Sequence, residues 1–100
     1  MSNKFNIEQL NKAFESRIRL GIMSVLMVNA QVDFNTMKEL LDLTDGNLAS
    51  HMSALEKLNY VEVKKQFIGK KPNTLFEASK EGKIAFQKHL NALEKLLKHS

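Results

Sequence analysis

Cysteine is absent from this 100-residue chain, and proline occurs once, at Pro72. The missing thiols exclude a disulfide framework and every cysteine-based zinc or redox site, which fits a reducing compartment. Glycine is sparse as well: Gly21, Gly46, Gly69 and Gly82 stand far apart, so no glycine-rich phosphate cradle is encoded. No apolar run approaches the roughly 18 residues of a membrane span. The first residues, Met1 to Asn6, lead into a polar segment instead of a signal-peptide core. A soluble, cytoplasmic protein with no membrane partner is expected.

The inventory for catalysis is equally short. His51, His89 and His99 are the three histidines. On one helix, ten residues separate His89 from His99 by about 280° and ~15 Å, too far for both rings to hold one ion. Ser50 and His51 are sequence neighbours on a helix and point to different faces, so they form no nucleophile and base pair, and no Asp is placed to orient the ring. No enzyme activity, metal or cofactor is expected.

One hundred residues with 43% apolar content make one domain, able to bury roughly 65% of the unfolded chain's surface without a staple. The net charge of +4 is unevenly spread. Residues 1–56 hold five Lys/Arg against seven Asp/Glu, whereas residues 57–88 hold eight Lys against three Glu. A cationic segment of this kind suits a polyanion, although a solvated basic face is the plainer reading of charge alone.

Residues 32–63 give that charge a context. Asn35 is placed as the N-cap of a helix from Thr36 to Leu41. Asp42-Leu43-Thr44 is a tight turn with Leu43 pointing inward, and Thr44 caps a second helix ending at Asn59, a residue that tolerates the left-handed C-cap conformation. At ~100° per residue, Leu48, Met52 and Leu55 form the buried stripe of this second helix. The opposite face holds Gly46, Ser50, Ser53, Ala54 and Lys57, with Asn47 and His51 at its rim. It has no carboxylate in the two turns after Asp45, so it suits a major groove.

Val61-Glu62-Val63 begins an alternating strand that Lys64 to Phe67 extend, residues 68–73 form a breaker-rich basic loop, and residues 74–78 form a second strand. Upstream, Asn6 and Gln9 have capping-box spacing for a short helix with Ile7, Leu10 and Phe14 on one face. A further helix runs from about Ser16 to Asn29, with Ile18, Ile22 and Val25 on one side and Leu20, Met23 and Met27 on another. Residues 31–33 offer a short third strand. The methionines, Met37 and Met52 included, have core spacing; their adaptability also leaves room for a small apolar effector. Ser79 caps a last helix from Lys80 to about Lys98, with Glu81 in its first turn and Lys95 and Lys98 in its last, matching the helix dipole.

Helix-turn-helix (about 36–59), hairpin (about 61–78) and C-terminal helix (about 80–98) resemble the winged-helix transcriptional regulators of the MarR and ArsR type, especially their small single-domain members. The resemblance covers roughly residues 10–90. Its residues are Ser16-Arg17-Ile18-Arg19-Leu20 with residues 22–26, Leu43-Thr44-Asp45-Gly46-Asn47-Leu48-Ala49-Ser50-His51-Met52, Leu55-Glu56-Lys57, Tyr60-Val61, Gly69-Lys70-Lys71-Pro72 and Ser79-Lys80-Glu81-Gly82. It implies a mainly α fold with a small β-hairpin wing, and double-stranded DNA as partner. Asn47, Ser50 and His51 match base-reading positions. Gly46 there allows close approach and Thr44 is available to a phosphate, while Lys57 on the exposed helix face and Lys64, Lys65, Lys70 and Lys71 on the basic hairpin are expected, from their charge and place, to contact the DNA backbone.

The chain departs from such relatives at Ser53 and Ala54, where an Arg is frequent, and at Ala78, where a bulkier aliphatic is usual. The apolar residues Phe86, Leu90, Leu93 and Leu97 of the last helix recur at helical spacing and, with Leu20, Met23 and Met27, form the expected surface of a homodimer. The rival reading is a winged-helix module that binds another protein and no DNA.

Overall fold

The computed structural model describes residues 7–98. Two short 3-10 turns, Ile7–Gln9 and Lys12–Phe14, precede α1 (Arg17–Val28). Strand β1 (Val32–Asp33), helices α2 (Phe34–Leu41) and α3 (Asp45–Lys57), strands β2 (Val61–Ile68) and β3 (Lys71–Ala78) and helix α4 (Lys80–Lys98) follow. The three strands form one antiparallel sheet in the order β1-β3-β2. This is the expected winged helix with an added C-terminal helix.

The helix boundaries follow from side-chain caps. Ser16 accepts from the Arg19 amide, Thr44 from the Asn47 amide at 3.1 Å, and Ser79 from the Gly82 amide at 2.9 Å. Each satisfies an amide that the first turn leaves without a carbonyl. Two expectations need correction. Asp33, not Asn35, caps α2, accepting from Thr36 at 2.8 Å; strand β1 holds Asp33 in the extended conformation a cap requires, so the helix starts at Phe34. The first segment is also two 3-10 turns and not one helix, because the Asn11 side chain caps a fresh turn by accepting from Ala13. The Asn6 capping box lies outside the described residues, as does His99.

The core gathers Ile22, Met23 and Leu26 of α1, Met37 of α2, Leu48, Met52 and Leu55 of α3, Val61 and Phe76 of the sheet and Phe86 of α4. The two apolar faces expected of α1 are therefore flanks of a single broad one. Ile18 and Val25 border it on one side and Leu20 and Met27 on the other, all four partly buried against the core. Met23 and Phe86, expected to face a partner, are instead 0% and 2% exposed within their own chain. Along α4 the apolar stripe emerges only in the second half, where Leu93 is half-buried and Leu90, Leu96 and Leu97 are exposed.

The end of α3 is fastened to the start of α4. Asn59 takes φ 63°, in the left-handed region, and Tyr60 follows with its amide on the Leu55 carbonyl. The Tyr60 carbonyl then accepts from Ser79 at 3.0 Å, and the first turn of α4 lies so close that a Cβ on Gly82 would sit 2.0 Å from the Tyr60 oxygen. Only glycine fits that approach. The hinge between α3, the sheet and α4 is thus set by backbone contact.

Candidate nucleic-acid interface

Helix α3 is positioned by the turn before it. Asp42 adopts φ 53°, and the Leu43 amide donates to the Lys38 carbonyl at 3.0 Å, ending α2 as the half-buried Leu43 turns toward the core. Leu48, Met52 and Leu55 are buried, so Gly46, Asn47, Ala49, Ser50, Ser53 and Lys57 are exposed on the other side. Ala54 and His51 are half-buried on the flank. Ala49 was not singled out in the sequence, although it lies on the exposed arc.

The electrostatics of this face favour an anion. Asp45, its one acid before Glu56, forms an ion pair with Lys38 of α2 at 2.8 Å. His51 accepts at Nδ1 from the Arg19 Nε at 3.2 Å, leaving Nε2 as the ring atom available to another partner. Arg17 lines the same depression as Asn47, beside the turn. The chain's only two arginines thus flank the first half of α3. They are candidate site residues that the sequence reading did not assign, and their signal was their place at the start of α1, before its buried stripe begins.

Gly46 is informative in a different way. A Cβ there would meet nothing within 4 Å, and its backbone is not left-handed. Glycine in a helix costs roughly 0.5–1 kcal/mol relative to alanine, so no internal packing explains it. Its absent side chain leaves backbone open to a closely approaching molecule.

The wing is longer than the sequence indicated. Pro72 and Asn73 are strand residues paired with Phe67 and Gln66, and the turn shrinks to Gly69-Lys70, with Gly69 at φ 65°. Beyond Val63 every residue of β2 is exposed. Lys64 donates to Glu77 at 3.3 Å. The hydrogen bond from Gln31, with those of Glu62 and Lys64 after it, holds the Glu77 carboxyl below the usual carboxylate range. Lys64 is therefore compensated in part. Lys65, Lys70 and Lys71 are exposed and form no ion pair among the described residues.

A second polar cluster fastens the N-terminal turns to α4. The Asn11 backbone amide donates to the buried His89 at Nδ1 (3.0 Å), the Asn11 side chain donates to the Tyr60 hydroxyl (3.1 Å), and Phe14 stacks on Tyr60 and meets Phe86 edge to face. Burial pushes the His89 imidazole below its ordinary value, opposed in part by the Glu15 carboxylate. His89 is structural here. Met23, Met37 and Met52 are likewise packed in the core, and Met27 lies half-buried beside it.

The family model described as a winged helix DNA-binding domain matches residues 18–97, from the first turn of α1 to the end of α4. The chain belongs to that family. Among relatives of this winged helix, an uncharacterized protein of Methanocaldococcus jannaschii is 35% identical over 88 residues, covering 88% of this chain and 96% of its own. A solved structure of a transcriptional regulator homologue from Pyrococcus horikoshii is 32% identical with a TM-score of 0.76, and the match covers 91% of this chain and 95% of that one. The structure of reduced AbfR bound to DNA shares the winged-helix fold at 16% identity and a TM-score of 0.70, over 92% of this chain and 62% of its own. No described helix is long and apolar enough to cross a membrane.

Proposed function

We propose that this winged helix is a homodimeric, sequence-specific double-stranded-DNA-binding transcriptional regulator that acts by occupying a promoter. The observation that supports it best is the exposed face of α3. It is small-residued and hydrogen-bonding, its Asp45 is neutralised by Lys38, and it stands beside a hairpin whose end holds three uncompensated lysines. A helix of that character fits the major groove, and a basic hairpin beside it fits phosphates. The DNA-bound AbfR structure shares the fold, which supports the same docking.

In this reading Asn47, Ser50 and His51 contact base edges. Thr44, Gly46, Lys57, Lys65, Lys70 and Lys71 contact the backbone, with Lys64 a weaker contributor. No bidentate guanine reader stands on the face, so Asn47, which can pair bidentately with adenine, dominates discrimination. Two copies joined through Leu90, Leu93 and Leu97 of α4, together with the Leu20 and Met27 flank of α1, would place their α3 helices in successive major grooves roughly 34 Å apart. A role on DNA implies a cytoplasmic location.

Fluorescence anisotropy with a labelled duplex tests the proposal. If the dimer neutralises about 6 phosphates, affinity falls on the order of 10³-fold between roughly 50 and 200 mM salt. Absence of duplex binding at low salt would assign the surface to a protein partner instead.

A further inference from the structure

The end of the wing is apolar as well as basic. Phe67 is 74% exposed and Ile68 63% exposed, the last two residues of β2 in a hairpin that leaves the core at Val63 and Phe76. At ~3.3 Å per residue, the Gly69-Lys70 turn stands roughly 20 Å from that pair. Phe67 lies directly opposite Pro72, and Ile68 directly opposite Lys71, so one face of the tip is Phe67 with Pro72 and the other is Ile68 beside a cation. From Lys64 to Phe76 the hairpin holds four lysines and no carboxylate.

We propose that the tip is a wedge for the DNA minor groove, with Phe67 inserting at a base step from one face of the hairpin and Ile68 lying against the groove wall from the other, while Lys65, Lys70 and Lys71 engage the flanking phosphates. This rests on the DNA-binding reading above and adds to it how the wing distorts and selects its site. The charge decides the occupant. An apolar protein surface would have to approach through three uncompensated ammonium groups, whereas the minor groove supplies both stacked bases for the apolar side chains and a phosphate wall on either side for the lysines. Apolar wedges of this kind partly unstack a base step and kink the duplex by roughly 20–90°. Flexible pyrimidine–purine steps yield most readily, so the wing would add sequence preference beyond the bases α3 touches. The plainer role for Phe67 and Ile68 is as strong strand formers that stiffen a projecting hairpin. Threonine keeps that propensity and removes the apolar bulk.

The test compares wild type with the double variant Phe67→Thr, Ile68→Thr on duplexes of about 40 base pairs, long enough for two half-sites, obtained by repeated selection from a random pool with the wild-type protein. Each duplex has 2-aminopurine, whose fluorescence rises on unstacking, at a pyrimidine–purine step near one end of the protected region, and a donor and acceptor dye at its two ends. Wild type should raise the 2-aminopurine signal and shorten the end-to-end distance. The variant should bind about tenfold more weakly with an unchanged salt slope and lose both signals, whereas Lys70→Ala, Lys71→Ala should shallow the slope. A variant that binds and bends like wild type overturns the wedge and leaves the DNA-binding reading intact. A change in the variant's mass by light scattering with unaltered DNA affinity also overturns it, in favour of a protein contact. Wild type that binds no duplex removes both.

Discussion

Gly82→Ala sets two effects of opposite sign against each other. Helix propensity alone favours alanine by roughly 1 kcal/mol, and position 82 is in the first turn of a 19-residue helix. The added Cβ, however, would stand 2.0 Å from the Tyr60 oxygen and 2.8 Å from its carbonyl carbon. Neither atom can move cheaply. The Tyr60 amide donates to Leu55 and its carbonyl accepts from Ser79, so relief requires α4 to withdraw by about 1 Å, which loosens Phe86 and His89 in their buried seats. Overpacking of a core costs roughly 1–3 kcal/mol, and contact with fixed backbone belongs at or above the upper end. The net expectation is a loss of about 2 kcal/mol, equivalent to a Tm lower by roughly 4–8 °C for each kcal/mol in a domain of this size. Urea titration followed by far-UV circular dichroism, at one fixed protein concentration because the proposed dimerisation would contribute to stability, measures it. A variant with a midpoint at or above that of wild type would refute the claim that backbone contact sets the hinge.

Gly46→Ala should do the reverse, leaving stability unchanged or raised by up to about 1 kcal/mol while weakening DNA binding in anisotropy; unchanged affinity would mean that nothing approaches Gly46 closely. Asn47→Ala should cost about 1–3 kcal/mol on a selected duplex and little on random DNA, and equal losses on both would reduce Asn47 to a backbone contact. The folded-state value of His89 is lowered by burial, so its contribution to stability is complete above about pH 6.5 and is lost as pH falls below that through the folded value. His89→Gln should flatten that part of the urea-midpoint profile, and identical wild-type and variant profiles would contradict it. Leu93→Glu with Leu97→Glu should yield a folded monomer with much weaker DNA binding, since exposing each leucine forfeits roughly 1.5–3 kcal/mol of burial; light scattering that finds a dimeric variant, or a monomeric wild type at tens of micromolar, would dismiss α4 as the interface.

Helix α3 was legible because its determinants are local. Thr44 and the Asn47 amide are three residues apart, Asn59 signals its own left-handed turn, and Leu48, Met52 and Leu55 repeat at the helical period. The same holds for α4 with Ser79 and Gly82. What the sequence concealed depends on distant partners. Asn11 and His89 are 78 residues apart, and only the fold shows that Asn11 interrupts the first helix and fastens it to α4. Pro72 and Asn73 look like loop residues, yet a two-residue turn at Gly69-Lys70 draws both into β3 because that stretch lacks a second neighbouring strand and loses nothing by Pro72 having no amide. Arg17 and Arg19 precede α3 by some thirty residues. Their place beside Asn47 and His51 exists only once α1 packs on α3. A helical wheel alone splits the one broad face of α1 into two and turns Met23 outward, where the fold buries it.

In the proposed function, two copies of α3, helped by the wing, read duplex DNA. Selection from a random duplex pool by the wild-type protein, followed by sequencing of what it retains, tests that claim most directly. The account predicts an inverted repeat with half-site centres about one helical turn apart, adenines enriched opposite the Asn47 position and binding that weakens steeply with salt. A retained pool as random as the one supplied, or an enriched single site without two-fold symmetry, would contradict it.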